Sequence, residues 1–182
     1  MRVRKIVPIE NARRLEHYLQ LQRMCIEAGA QADLFVTQLE DLLHTNVRLY
    51  VGIGEGGNIV AGAYTKPKDA VETELCGFVV HPGYRRRGHG SALARFIVKS
   101  EAADGVTSIE LAVRIHSDGS INAKAARMYF TVGFVPTGEI RARDLADDPR
   151  MQYLASTLDP DGKFRSAIFR RSIGAESEVR YE

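Results

Sequence analysis

"HPGYRRRGHGSALARF", residues 81–96, decides the fold. Arg85, Arg86 and Arg87 stand in a row against Gly88 and Gly90, which flank His89, and the stretch then runs into Leu93, Phe96 and Ile97 at helical spacing. Just upstream, "TELCGFVV" (73–80) is an almost unbroken apolar run after Glu74, as expected of a central strand buried on both faces. His81-Pro82-Gly83 stops the pairing, because proline has no N–H to give a ladder. A strand end, a glycine-bearing turn and a helix start thus follow one another. Unpaired backbone N–H groups and the positive end of a helix dipole then face one point, which makes an anion cradle. Glycine lets main chain approach a ligand without a Cβ in the way, and arginine adds charge-assisted hydrogen bonds to phosphate oxygens, so pyrophosphate is the expected ligand. The usual competitors fail on the letters. A Walker A loop needs Gly-Lys-Ser/Thr, and a dinucleotide fingerprint needs a third glycine where Leu93 stands.

Working outward, residues 3–8 (VRKIVP) read as a first strand. "ENARRLEHYLQLQRMCIEAG" (10–29) reads as a helix with Leu15, Tyr18, Leu19, Met24 and Ile26 near one face, and "ADLFVTQLEDLLH" as a second helical patch. "VRLYVGI" and "NIVAGAYT" are strands joined by "GEGG", a hairpin turn rather than a phosphate loop because a strand follows it. Gly77, inside the central strand, marks a bulge, a close approach or plain packing, and the three stay open. A helix from Gly90 to Ala103 should bury Leu93, Phe96 and Ile97 and leave Arg95, Lys99 and Glu101 on the surface. "TSIELAVRI" alternates as a strand. "DGSINAKAARMYFTVGF" carries Ile121, Ala125, Met128 and Val132 at helical spacing and closes at Gly133. Two last strands are expected at "GFVPTGEI" and "MQYLASTL", joined by the charged loop "RARDLADDPR". The tail after Asp159 shows no convincing period, and whether it packs late, joins a homodimer or stays mobile is open. The order β, α, α, β, β, β, α, β, α, β, β describes a mixed α/β domain with a central sheet.

Composition bounds the rest. A chain of 182 residues with 45% hydrophobic content closes one core, so residues 1–182 are read as one domain. A net charge of +2, from 25 basic and 23 acidic residues, is too balanced to imply nucleic-acid or membrane binding. Cys25 and Cys76 have no metal-ligand spacing, so reduced thiols and no metal are expected. The first residues lack an apolar h-region and no run is long enough to span a bilayer, which suits the cytoplasm.

"VVHPGYRRRGHGSAL" is similar to the cofactor motif of the GNAT superfamily of N-acetyltransferases, where a strand ending near Val-x-Pro leads into Arg/Gln-x-x-Gly-x-Gly/Ala; here those positions are Arg85, Gly88 and Gly90. "NAKAARMYFTVGF" resembles the family's later Asn-x-x-Ala-x-x-x-Tyr-x-x-x-Gly-Phe pattern at Asn122, Ala125, Tyr129, Gly133 and Phe134. Together the motifs cover residues 47–157 and leave out the first helix and the tail, 158–182. Independently, Asn122 and Tyr129 are seven residues apart, which on a helix puts them within about 20° and roughly 10 Å of each other, so one ligand could touch both.

The resemblance implies a mostly antiparallel sheet of six to seven strands flanked by helices, with central strands splayed into a cofactor cleft. It implies acetyl-CoA as donor, held by main chain at Phe78, Val79 and Val80, by Arg85, Arg86, Arg87, Gly88, His89, Gly90 and Ser91, and by Asn122 and Tyr129. It also implies direct transfer to an amine. A lysine-like amine, of pKa about 10.4, must lose a proton first. Glu74 takes the base position of the histone-acetylating branch; Glu110 is in reserve, because Ala112 occupies the position of another branch's glutamate. Main-chain N–H groups from Phe78 to Val80 would steady the thioester oxygen, and Tyr129 would protonate the leaving thiolate. His81, His89 and His116 are weaker proton-shuttle candidates. The acceptor, a small-molecule or peptide amine, should lie between the region 10–45 and the loop 140–152. A non-catalytic acyl-CoA sensor and a toxin acting on aminoacyl-tRNA stand as alternatives.

Overall fold

The computed structural model describes residues 1–6, 12–30, 37, 39–44, 46–144 and 159–174. In chain order these form β1 (Arg2–Ile6), α1 (Ala12–Cys25), α2 (Leu39–Leu42), β2 (Arg48–Ile53), β3 (Ile59–Pro67) and β4 (Glu72–Val80), then α3 (His89–Ala103), β5 (Ser108–Ile115), α4 (Ala123–Phe130), β6 (Val135–Asp144) and β7 (Lys163–Ser172). The strands make one seven-stranded sheet in the order β1-β2-β3-β4-β5-β7-β6. Every neighbouring pair is antiparallel except β4 and β5. The fold is thus the mixed, mostly antiparallel sheet with flanking helices that the motifs imply.

Alternation along the strands sends residues to two cores. On β2, Leu49 and Val51 join Leu15, Tyr18, Leu21 and Leu42 under α1 and α2, whereas Tyr50 joins Leu93, Ile97, Leu111 and Phe134 under α3 and α4. α1 buries Leu15, Tyr18, Leu21, Gln22 and Cys25. The expected face is thereby corrected: Met24 is 41% exposed, and the true stripe runs through Gln22, a polar residue that hydropathy leaves out. Past Cys25 the helix loosens through Ile26–Ala30 and breaks at Gly29, with φ at 94°.

On α3, Leu93, Ala94, Ile97 and Val98 face the sheet, whereas Phe96, expected in the core, is exposed because it lies off that face. The expectation that Glu101 is a surface residue is overturned, since it is 0% exposed. Its carboxylate accepts hydrogen bonds from Tyr50 at 2.6 Å, Thr65 at 2.7 Å and Arg48 at 2.6 Å. A buried charge survives when its lone pairs are filled, and here partners from β2 and β3 fill them and moor the C-terminal half of α3.

The C-terminal reading also changes. β6 runs on to Asp144, through the first residues of the expected loop, and "MQYLASTL" lies outside the described residues. The last strand is instead drawn from the supposed tail: β7 slots between β5 and β6 along Lys163–Ser172, and buries Phe164, Ser166, Ile168 and Phe169. The period of "KFRSAIFRRS" is hidden by arginines whose heads find separate partners: Arg170 bonds Glu110 on β5, Arg165 pairs with Asp159 and Asp161 just before the strand, and Arg171 donates to the Val132 carbonyl.

Replacing Glu101 with alanine strands the Tyr50 and Thr65 hydroxyls. It is expected to lower unfolding free energy by roughly 2–4 kcal/mol, read from denaturant midpoints at unchanged m-value.

Candidate active site

β4 is the strand from which the site is built, and it is less buried than its apolar letters promise: only Thr73, Leu75 and Val79 are fully covered. The reason lies in its partners. Pairing with β5 begins at Glu72↔Ser108 and ends at Leu75↔Leu111. Beyond that point the strands part, and on the β3 side the register slips between Gly62 and Tyr64 so that Gly77 and Phe78 lack partners. That slip is a bulge carried by Gly77 at φ 58°, the first of the three readings left open for it. The opening is a cleft of about 1970 Å³ lined by Gly77, Phe78, Val79 and Val80 on one wall and Ala112, Val113 and Arg114 on the other.

At its mouth, a single turn at Pro82–Tyr84 reverses the chain after Val80, with His81 Nδ1 accepting from the Gly83 N–H at 3.1 Å. The backbone then passes through left-handed conformations at Arg86 (φ 59°) and Gly88 (φ 78°) before α3 begins. Arg86 is the one non-glycine with positive φ among the described residues. No side chain caps α3, and its first ladder bond is Ala92 N–H to the Gly88 carbonyl at 2.9 Å, so the preceding N–H groups stand open. Such a concave run of N–H groups at a helix N-terminus suits the pyrophosphate of a nucleotide thioester. Arg85 donates from Nε to the Val80 carbonyl at 3.1 Å and so braces the strand end, while Arg86 and Arg87 are exposed at the mouth.

The two glycines act differently. At Gly90 a Cβ would sit 3.6 Å from Val80 and 3.7 Å from Phe78, ordinary contacts that permit alanine. At Gly88 there is open space, and only the backbone conformation calls for glycine.

The expected histidines separate. His81 and His89 flank the Tyr84 ring at 5.4 and 5.8 Å, beside the Arg87 guanidinium at 5.7 Å, so both brace the cradle; His89 and His116 line the cleft. Asn122 stands at the N-cap of α4, its Oδ1 accepting from the Ala125 N–H at 3.0 Å, and it lines the cleft with Tyr129. The close of α4 fixes Tyr129. Phe134 N–H bonds the Tyr129 carbonyl at 3.1 Å and Gly133 N–H bonds that of Phe130 at 2.9 Å, a Schellman close with Gly133 at φ 89°. The Tyr129 ring packs between Phe134 at 5.7 Å and Phe78 at 5.8 Å. Burial, helped by the nearby Cys76, pushes the Tyr129 hydroxyl above its ordinary pKa, so it stays a proton donor.

The two carboxylate candidates part as well. Glu74 is half-buried in the cleft wall, with Arg143 at 4.0 Å and Lys66 opposite in register. Glu110 is 1% exposed and bonded by Arg141 at 2.5 Å, Arg170 at 2.8 Å and Lys68 at 3.1 Å. Burial alone would raise its pKa, but these cations outweigh that and hold it down to about 2, which unfits it as a base. Sequence reasoning missed Tyr64, Cys76 and Lys66 in the cleft wall and Tyr18 and Gln22 behind it. Burial and the charge of Glu74 push the Cys76 thiol up to about 12. Among the described residues no group of three or more His, Cys, Asp or Glu is placed to hold a metal, and no helix is long and apolar enough to cross a membrane.

A splayed mixed sheet with an uncapped helix N-terminus at its mouth gives a cleft whose chemistry suits a phosphate-bearing ligand. The chain belongs to the acetyltransferase (GNAT) family, whose model matches residues 15–134 and so takes in α1, which the motifs left out. Among solved structures it is similar to the ribosomal-protein-S18-alanine N-acetyltransferase from Escherichia coli, at 19% identity and TM-score 0.62 over 100% of this chain and 99% of that one. An aminoglycoside 6'-N-acetyltransferase complexed with coenzyme A is similar at 14% identity and TM-score 0.68, over 96% and 98%. A GNAT family acetyltransferase from Elizabethkingia anophelis with acetyl-CoA bound is similar at 16% and 0.59, over 74% and 82%. At these identities the likeness is one of fold. No curated protein sequence is close enough to count as a match.

Gly88→Ala, which forces a Cβ into a left-handed position at ~1–2 kcal/mol, should weaken acetyl-CoA binding about tenfold, whereas Gly90→Ala should leave it nearly unchanged; calorimetric titration reads both. A second expectation concerns acid. Because the folded pKa of Glu110 lies below its ordinary 4.5, its contribution to stability is present above that value and lost as pH falls toward about 2. The stability gap between wild type and Glu110→Gln should therefore close over that window in pH-resolved denaturant titrations.

Proposed function

We propose that the chain is an N-acetyltransferase that moves the acetyl group of acetyl-CoA to a primary amine by direct attack. One observation carries the reading: the open N–H groups of α3, the unpartnered stretch of β4 and the Tyr129 side chain all border one cleft. Acetyl-CoA supplies an activated acyl group as its thioester when bound. Arg86, Arg87 and the N–H groups from Gly88 to Ser91 hold the pyrophosphate, and Asn122 keeps its amide NH₂ free for the donor's arm. Main-chain N–H groups at Phe78 and Val80 receive the negative charge that grows on the thioester oxygen. Glu74 takes a proton from the amine, whose nitrogen forms the new bond to the acetyl carbon as the C–S bond breaks; Tyr129 gives its proton to the departing sulfur. Direct attack is favoured over a cysteine acyl-enzyme because burial pushes up the pKa of both cysteines that line the cleft, Cys25 and Cys76, so each holds its proton.

The acceptor is a small-molecule or peptide amine, approached between Glu74, Lys66 and Arg143. Two structurally similar proteins are named for such acceptors, one for a protein's alanine and one for aminoglycosides. Residues 1–182 are proposed as one domain, since β1 and β7 share a sheet.

Calorimetric titration with acetyl-CoA, followed by thiol release against a panel of amines, peptides and aminoacyl-tRNA, tests the whole. Binding with amine-dependent release is the expected result. Binding without release would leave a sensor, and no binding would sink the reading. Tyr129→Phe should lower turnover on the order of 100-fold with acetyl-CoA affinity intact. Glu74→Gln should lose activity at neutral pH and regain part of it as pH rises toward the amine's pKa of about 10.4; a uniform loss across pH would make Glu74 a substrate-positioning group instead.

A further inference from the structure

We propose that Tyr18 is a positioning residue for acetyl transfer: its hydroxyl holds the Gly77 carbonyl and thereby aims the Phe78 N–H, the other end of the same peptide unit, at the thioester oxygen. This rests on the acetyl-transfer reading above. Gly77 and Phe78 have no register partner in β3, and pairing with β5 has already ended at Leu75, so the peptide between them lies outside the regular register. Tyr18 fixes it instead, donating from Oη to the Gly77 carbonyl at 2.6 Å. The peptide is planar and trans, so the Phe78 N–H points away from that carbonyl, off α1.

The direction of the Tyr18 proton is itself imposed. Gln22 Nε2 donates to Tyr18 Oη at 2.9 Å and to Thr37 Oγ1 at 2.8 Å, with the Gly77 carbonyl at a longer 3.5 Å, while Gln22 Oε1 accepts from the Thr37 N–H at 3.1 Å. With Oη receiving from Gln22, its one hydrogen goes to Gly77. The Tyr18, Gln22 and Thr37 side chains are buried, which shields the bonds among them from water, while Gly77 is half-buried at the cleft wall.

The seat is also cleared for this ring. A Cβ at Gly62 would meet Tyr18 Cδ2 at 2.5 Å, and one at Gly77 would collide with Tyr18 Oη, with Tyr64 Cε1 at 2.6 Å and with Gln22 Nε2 at 2.8 Å. Packing alone would be served by phenylalanine. The hydroxyl adds orientation, and a hydrogen bond at the carbonyl polarises the peptide so that its N–H becomes the stronger donor.

Infrared difference spectra of acetyl-CoA, isotopically labelled at the thioester carbonyl and bound to wild type and to Tyr18→Phe, test this directly. Wild type should show the bound carbonyl stretch shifted below that of free acetyl-CoA. Tyr18→Phe should lose about half of that shift while calorimetric affinity stays within about twofold, because the cradle is untouched. Gln22→Met keeps the hydroxyl but removes the group that orients it, and should lose a smaller part; it carries the test if Tyr18→Phe does not fold. An equal shift in wild type and in every folded variant would overturn the role of Tyr18 and leave acetyl transfer standing. Absence of any shift in wild type would overturn the Phe78 N–H as oxygen donor, and Tyr18 with it.

Discussion

The end of β4–β5 pairing at Leu75↔Leu111 is the constraint on which the rest depends. Parallel strands held along their whole length would close the sheet and leave no split. Here the strand spends four register pairs on β5 and then its free edge turns toward ligand, with a bulge at Gly77 that lets Phe78 and Val80 rejoin the α3-side core while Cys76 and Val79 serve the other. A bulge usually breaks a strand's alternation for one residue and increases its twist. In this chain it also sets a peptide unit outside the regular register, and Tyr18 of α1 bonds its carbonyl. The first helix is thereby part of the site's framework as well as a cover for the sheet.

Two local devices bring the candidate groups to the split. Before α3 the main chain passes through left-handed conformations at Arg86 and Gly88, which spreads N–H groups around a concave point. After α4 the Schellman close at Gly133 sets Phe134 against Tyr129, so the phenol is held by the turn that ends its own helix. Both are short-range geometries written in a few consecutive residues. Neither would serve without the sheet that sets them on opposite sides of the same opening.

Charge is partitioned across the same strands. Glu74 and Glu110 are register partners on β4 and β5, yet three cations from β6, β7 and the residue after β3 converge on Glu110, while Glu74 keeps only a distant arginine. One carboxylate becomes a fastener between strands. The other is left in the cleft wall, two residues from Cys76 and opposite Lys66 in register.

The helix-start cradle and the α4 pattern were legible in the letters because each is local: glycines at left-handed positions, a cap at Asn122 and a Gly-Phe close leave their mark within a few residues. The element order was legible too, since apolar periods survive in one dimension. β7 was not, because its arginines mask the alternation until their partners, Glu110 on β5, Asp159 and Asp161 before the strand and the Val132 carbonyl, are placed beside them. Glu101 was read as surface, and Gln22 was left out of the buried stripe, for the same reason: a polar residue is admitted to a core only when distant partners satisfy it. The sequence by itself determined the local turns before α3 and after α4 and the candidate groups for phosphate binding and proton transfer. The tertiary structure alone decided which carboxylate is silenced, where the sheet opens and what holds the Gly77 peptide, because those are set by groups that meet across the fold.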